Sequence, residues 1–370
     1  MNEKELLATM ALGMIPGIGL ISARKLKDCM GTAEAIFAQR KELATLVPGI
    51  SARIIEALDA PEAFERAKQE LEFVQKHNIE CLCFDDEAYP SRLRECSDAP
   101  LLLFYKGNVP LNQQRVINLV GTRHATEYGR RLCTQFINEL KELCPDVLIV
   151  SGLAYGIDIC AHRAALANGM NTVGVLAHGL DRMYPSQHRE TAACMTHQGG
   201  LLTEFMSHTS PDRQNFVKRN RIVAGISDAT IVVESAAKGG ALITAELATD
   251  YNRECFAFPG AVGAPYSEGC NNLIRNNGAT LLQNAEEFVQ AMQWGEAPAK
   301  KTVQRELFPD LTDEEQTVVK YLKDSPEGMQ INTLTVRTGL AVNKLCSLLF
   351  ELEMKGVVTP LAGGSYRLLS

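Results

Sequence analysis

The chain has 370 residues, with 37 Lys and Arg against 44 Asp and Glu, a net charge of −7 and 46% hydrophobic residues. This length suits two or three domains, and the composition excludes a disordered chain, a collagen-like fibre and a uniformly basic nucleic-acid coat. A nucleic-acid ligand stays open, because a local patch of cations binds phosphate and the sum over the chain does not.

The first residues, MNEKELLATM, lack the basic start and apolar run of a secretory signal. Residues 1–75 read as a helical domain. Leu6, Leu7, Met10 and Ala11 keep helical spacing, and Ile15-Pro-Gly-Ile-Gly19 and Val47-Pro-Gly-Ile-Ser51 repeat a tight Gly turn. This is a helix-hairpin-helix pattern, whose exposed turn amides can hold a phosphate. Basic and acidic residues nearly balance here, so a structural bundle is favoured over direct DNA contact.

Over residues 76–295 short β-branched runs alternate with helical stretches. The runs at 116–120, 147–150, 172–176, 230–233 and 255–258 read as doubly buried strands, with helices at 126–143, 157–167 and 241–251 between them. That order predicts a mainly parallel, doubly wound α/β sheet with ligands beyond the strands' carboxyl ends. The most apolar stretch, residues 164–180, is broken by Asn168, Gly169, Asn171 and His178, so no membrane span and a cytoplasmic protein are expected. Residues 296–309 read as a linker. Beyond them, residues 310–370 have a capping box at Thr312 and Glu315, helical patterns at 331–338 and 343–355, and a terminal hairpin. This is a winged-helix pattern. It lacks a basic recognition helix, which favours a protein-contact role.

Chemistry is expected where three strands run into Gly-rich turns: at Gly121, Thr122 and Arg123, at Ser151 and Gly152, and around Lys238, Gly239 and Gly240. Gly lets a ligand approach the backbone, and each following helix N-terminus offers unpaired N–H groups. The local maximum of positive charge is Pro211-Asp-Arg-Gln-Asn-Phe-Val-Lys-Arg-Asn-Arg221, where Phe216 sits among Arg213, Lys218, Arg219 and Arg221. Cations for phosphates with a ring for a base to stack on suit single-stranded nucleic acid. At least one of Arg219 and Arg221 could instead be structural, paired to an acid such as Glu234 or Glu204. No GxGxxG follows the first strand, and no P-loop or GxSxG elbow occurs. Eleven Cys without a CxxC pair argue against both a disulfide framework and a zinc ribbon, and His188, Cys194 and His197 fit no metal site. No cofactor, metal or catalytic residue is expected.

The Gly121-Thr-Arg run, the 151–158 turn with Ala161-His162, Phe216 leading into Arg219-Asn-Arg-Ile-Val-Ala-Gly225, Glu234-Ser with Gly240-Ala-Leu-Ile-Thr-Ala245, and Pro259-Gly260 with Gly269-Cys-Asn-Asn-Leu-Ile274 together resemble the bacterial DNA-processing protein A (DprA/Smf) family. The resemblance is colinear over about 200 residues. It implies an extended Rossmann domain between an N-terminal sterile-alpha-motif-like helical domain and a C-terminal winged helix. The implied function is that of a homodimer that binds single-stranded DNA during natural transformation, protects it and helps load RecA. Carried over by residue, the DNA pocket would use Gly121, Thr122, Arg123, Ser151, Gly152, Arg213, Phe216, Lys218 and Lys238. Val217 stands where the family often has Pro, which predicts a less rigid loop around Lys218.

The rival is an enzyme of the same fold, a nucleoside-monophosphate phosphoribohydrolase, whose PGGxGTxxE signature holds a phosphate and supplies a catalytic Glu. Gly239-Gly240-Ala-Leu-Ile-Thr244-Ala-Glu246 misses it: Lys238 replaces Pro, and Thr244 and Glu246 are out of register. One position turns a helical side chain by about 100°, which displaces the carboxylate. Asp158 and His162, four apart on one helix, mimic an acid/base pair but are explained more simply as structural.

Overall fold

The β-branched runs of the middle region form strands because their side chains are buried on both faces. In the computed structural model, which describes residues 2–294, 311–325, 328–361 and 364–368, they belong to a nine-stranded sheet. Its strands are β1 (Glu80–Cys83), β2 (Leu102–Gly107), β3 (Val116–Val120), β4 (Leu148–Ser151), β5 (Thr172–Val175), β6 (Gly199–Thr203), β7 (Ala229–Val232), β8 (Glu254–Ala257) and β9 (Thr280–Leu281). The order is β1-β2-β6-β5-β4-β3-β7-β8-β9. Every pairing from β6 to β9 is parallel, while β1 and β2 add an antiparallel edge.

Alternate residues feed two cores. Ile117, Leu119, Ile149 and Ile231 pack with Phe136, Ile137, Leu140, Ala161 and Phe288, from the helices Glu127–Leu143, Ile157–Ala167 and Ala285–Ala291. Val116, Val120, Val150 and Val232 share the other core with Ile222, Val223, Ala241 and Ala245, from the helices Arg213–Gly225 and Gly240–Asp250. The chain leaves β3 toward β4 and later returns on its other side as β7. That reversal opens a crevice at the carboxyl ends of β3 and β7.

Helices cover residues 3–77 almost continuously and end at His77, before β1. Both Gly turns form as expected, with Gly17 at φ +88° and Gly49 at φ +72°. Lys25 Nζ ties the second to the helix Leu20–Met30 by donating to Pro48 O at 2.7 Å.

The chain divides into two compact units, 1–295 and 296–370, and the expected linker 296–309 lies outside the described residues. In the second unit Thr312 and Glu315 cap the helix Asp313–Lys323 reciprocally, as their spacing predicts. The helices Ile331–Thr338 and Val342–Met354 follow, with strands Val358–Leu361 and Ser365–Leu368 as the wing. Lys344 pairs with Glu314 and Lys355 with Glu315, so these cations of the Val342–Met354 helix and its end are already engaged. Among the described residues no helix is long and apolar enough to cross a membrane.

Candidate nucleic-acid interface

Because β4, β3 and β7 are adjacent and parallel, the turns that follow them meet at one edge of the sheet. Hydrogen bonds lock the three together: Thr122 N donates to Glu234 O at 2.7 Å, and Ile157 N donates to Thr122 O at 3.3 Å. The Glu234 carboxylate accepts from Thr126 N at 2.9 Å and Thr126 Oγ1 at 2.5 Å, fixing the N-terminus of the 127–143 helix. Glycine is required at two points. Gly156 has φ +81°, and a Cβ there would lie 2.1 Å from Thr122 O; a Cβ at Gly152 would lie 2.4 Å from the Arg219 guanidinium.

The 213–225 helix begins at the same edge, with Asp212 accepting from Asn215 N at 2.8 Å as its cap. Its first turns face a cavity of about 1040 Å³ bordered by the 121–124 turn, Asp158, Tyr184, Arg213, Phe216, Asn220, the 235–240 turn and Glu246. Phe216 is half-buried. Its ring packs on Tyr184 with centroids 5.8 Å apart, and the Arg123 guanidinium lies 4.7 Å from its centroid. Arg123, Arg213 and Lys238 are exposed around it. Gly121, Thr122 and Gly240 present backbone to the same space.

The remaining expected contacts are placed differently. The 211–221 segment is helical from Arg213, so Val217 sits in a helix and no loop carries Lys218. Helical rotation takes Lys218 and Arg221 to a separate cavity of about 730 Å³, where Arg221 is buried and pairs with Glu204. Burial pushes the Glu204 carboxyl up, opposed by Arg221. Arg219 is buried, donating from Nη1 to Gly152 O at 2.5 Å and also to Val175 O. Burial lowers it to about 10 while Asp158 pulls the other way. Ser151 is buried, and its hydroxyl donates to Leu119 O at 2.6 Å. Ser151 and Gly152 therefore brace the pocket from behind, Arg219 is a buried part of its wall, 5.9 Å from the Phe216 ring centroid, and Arg221 is an interior ion pair. Glu234 serves Thr126, so Glu204 is the acid that takes an arginine.

Sequence reasoning missed Tyr184 and His124. Tyr184 stands far from the basic segment in sequence and reaches Phe216 only through the topology; His124 adjoins Arg123 but carries no pattern of its own.

Asp158 and His162 do not form an acid/base pair. His162 Nδ1 lies 2.7 Å from Thr172 Oγ1 in the interior, and burial, reinforced by Arg219, pushes the ring down to about 3. The fold thus accepts the neutral ring, whereas the unfolded chain protonates near the ordinary value of about 6.5. The stability this group contributes is full above about pH 6.5 and is lost as pH falls toward 3. Denaturant midpoints against pH should show this decline, limited to about 1.4 kcal/mol per pH unit for one group, and His162→Gln should flatten it between about pH 6.5 and 4.5. Thr244 and Glu246 both border the cavity; the Thr244 hydroxyl is buried and already donates to Gly240 O at 3.2 Å, whereas Glu246 is exposed.

Comparison with known proteins bears on the whole arrangement. Residues 80–293 match the family described as DNA recombination-mediator protein A, and residues 304–364 match the DprA winged helix domain. Protein Smf of Escherichia coli (strain K12) is 34% identical over 80% of this chain and 79% of its own length. The X-ray structure of DNA processing protein A from Streptococcus pneumoniae superposes with a TM-score of 0.58 at 33% identity, covering 74% of this chain and 98% of that one. The Helicobacter pylori DNA processing protein A structure, described for its single-stranded DNA binding mode, gives a TM-score of 0.53 at 27% identity over 58% of this chain and 96% of its own. The chain therefore belongs to the DNA recombination-mediator protein A (DprA/Smf) family.

Proposed function

We propose that this protein binds single-stranded DNA without sequence choice and acts as a recombination mediator, protecting incoming DNA in natural transformation and loading RecA as a homodimer. One observation carries the reading: the Phe216 ring sits at the carboxyl edge of the sheet under the Arg123 guanidinium, with Arg213 and Lys238 exposed around the same cavity. A half-buried ring ringed by cations offers stacking to a base and charge to phosphates, and unpaired strands present both. The binding mode described for the Helicobacter pylori relative supports it.

Oligothymidine should bind more tightly than duplex of equal length. Affinity should fall with salt at a slope of roughly −0.7 per neutralised phosphate. Arg123→Ala should flatten that slope. Equal or tighter binding to duplex across the salt series would overturn the reading.

Glu246 at the cavity's border is the observation that favours the phosphoribohydrolase alternative. The Thr244 hydroxyl, already donating to Gly240 O, weighs against it, and AMP incubated with the protein is expected to stay intact. Free adenine released in proportion to protein, and abolished by Glu246→Ala, would favour the enzyme.

A further inference from the structure

Beside the Phe216 pocket lies a second cavity, of about 490 Å³, formed by the segment 259–267 after β8 together with Thr126, Tyr128 and Glu234. Its walls are chiefly apolar: Pro259, Ala264, Pro265 and the rings of Tyr128 and Tyr266. The Tyr128 ring and the Tyr266 backbone are anchored. The Tyr128 hydroxyl donates to Pro259 O at 2.7 Å, and the Tyr266 carbonyl accepts from Ser235 N at 2.8 Å. Yet neither is covered, for Tyr128 remains 39% exposed and Tyr266 is half-buried.

His124 stands between the two cavities. Its imidazole borders the Phe216 pocket and stacks on Tyr266, with centroids 6.3 Å apart and planes 30° from parallel. Glu234 lines the second cavity, but both its carboxylate oxygens are engaged by Thr126. Arg131, exposed one turn along the helix from Tyr128, acts electrostatically on that phenol and makes no ion pair among the described residues.

We propose that this second cavity holds the nucleobase next to the one at Phe216, on the same strand, with Arg131 drawing the phosphate backbone. The inference rests on the single-stranded DNA reading of the first pocket. Aromatic walls select a flat, apolar-faced ligand, and every base has such a face. Adjacency across the His124–Tyr266 contact makes that ligand part of the strand already held. A duplex keeps its bases stacked on one another and has none to offer.

The test uses the full chain and the shortest oligothymidine that keeps full affinity, so that the strand has one register, with one nucleotide at a time abasic. Two adjacent positions should be sensitive. An abasic nucleotide at the second should weaken wild-type binding roughly tenfold, the scale of one lost stack. It should cost nothing further in Tyr266→Ala, and Tyr266→Phe should behave as wild type because its ring is kept. The abasic scan of the wild type holds even if Tyr266→Ala loosens its loop. If Tyr266→Ala binds like wild type and only one position is sensitive, while Phe216→Ala loses affinity, the second cavity is refuted and the first pocket stands. If Phe216→Ala also binds like wild type, the reading of the first pocket falls and this inference falls with it.

Discussion

Arg219→Ala should lower the stability of the sheet domain by about 3–5 kcal/mol, the cost of stripping one partner from a buried charged network. The side chain is 4% exposed and donates to the Gly152 and Val175 carbonyls. Its loss takes a donor from both carbonyls and removes the positive charge that opposes the upward push of burial on the Asp158 carboxyl. Gly152 packs directly against the guanidinium, so truncation leaves a gap beside it. A melting point roughly ten degrees below wild type is expected. Arg219→Lys should recover part of the loss, since one ammonium keeps the charge but cannot reproduce the planar fork. An Arg219→Ala protein that melts like wild type would remove Arg219 from the scaffold and return it to the list of ligand contacts.

The second large effect is on binding. Phe216→Ala should cost about 1–3 kcal/mol of affinity for oligothymidine while leaving the salt slope nearly unchanged, because a stacking surface is removed and no cation is. The half-buried ring contacts Tyr184 and lies under Arg123, so its loss opens the pocket wall more than the core. Phe216→Tyr should retain most affinity and Phe216→Leu should not, since Leu matches the apolar bulk but has no π-face. A core anchor would behave otherwise, with Phe216→Ala lowering the melting point and weakening binding only as the folded fraction shrinks. Melting and binding on one preparation separate these outcomes.

The parallel strands were readable from sequence because burial on both faces leaves uninterrupted apolar runs, as in Val116–Val120 and Leu148–Ser151. β6 was not, since Gly199 and Gly200 open it and glycine reads as a turn. The antiparallel edge of β1 and β2 was also missed, because its pairing depends on β6. The Gly-rich turns meet at one edge of the sheet, where a close approach to the backbone needs glycine whatever the fold. What local composition could not show is direction. Five residues of one basic segment are placed differently: Arg213 and Phe216 at the main cavity with Arg219 buried in its wall, and Lys218 and Arg221 at another. A charge count treats the segment as a line, whereas a helix distributes it around a circle.

The central claim is that unpaired DNA lies against Phe216. Photo-crosslinking of the full chain to oligothymidine carrying 5-bromouracil, followed by tryptic peptide mapping, tests it directly. Cleavage after Arg213 and Lys218 isolates Phe216 in a five-residue peptide, Gln-Asn-Phe-Val-Lys. The account predicts that this peptide carries the principal crosslink and loses it in Phe216→Ala. Crosslinks confined to the helices before His77 or to the winged helix, with the Phe216 peptide unmodified, would contradict it.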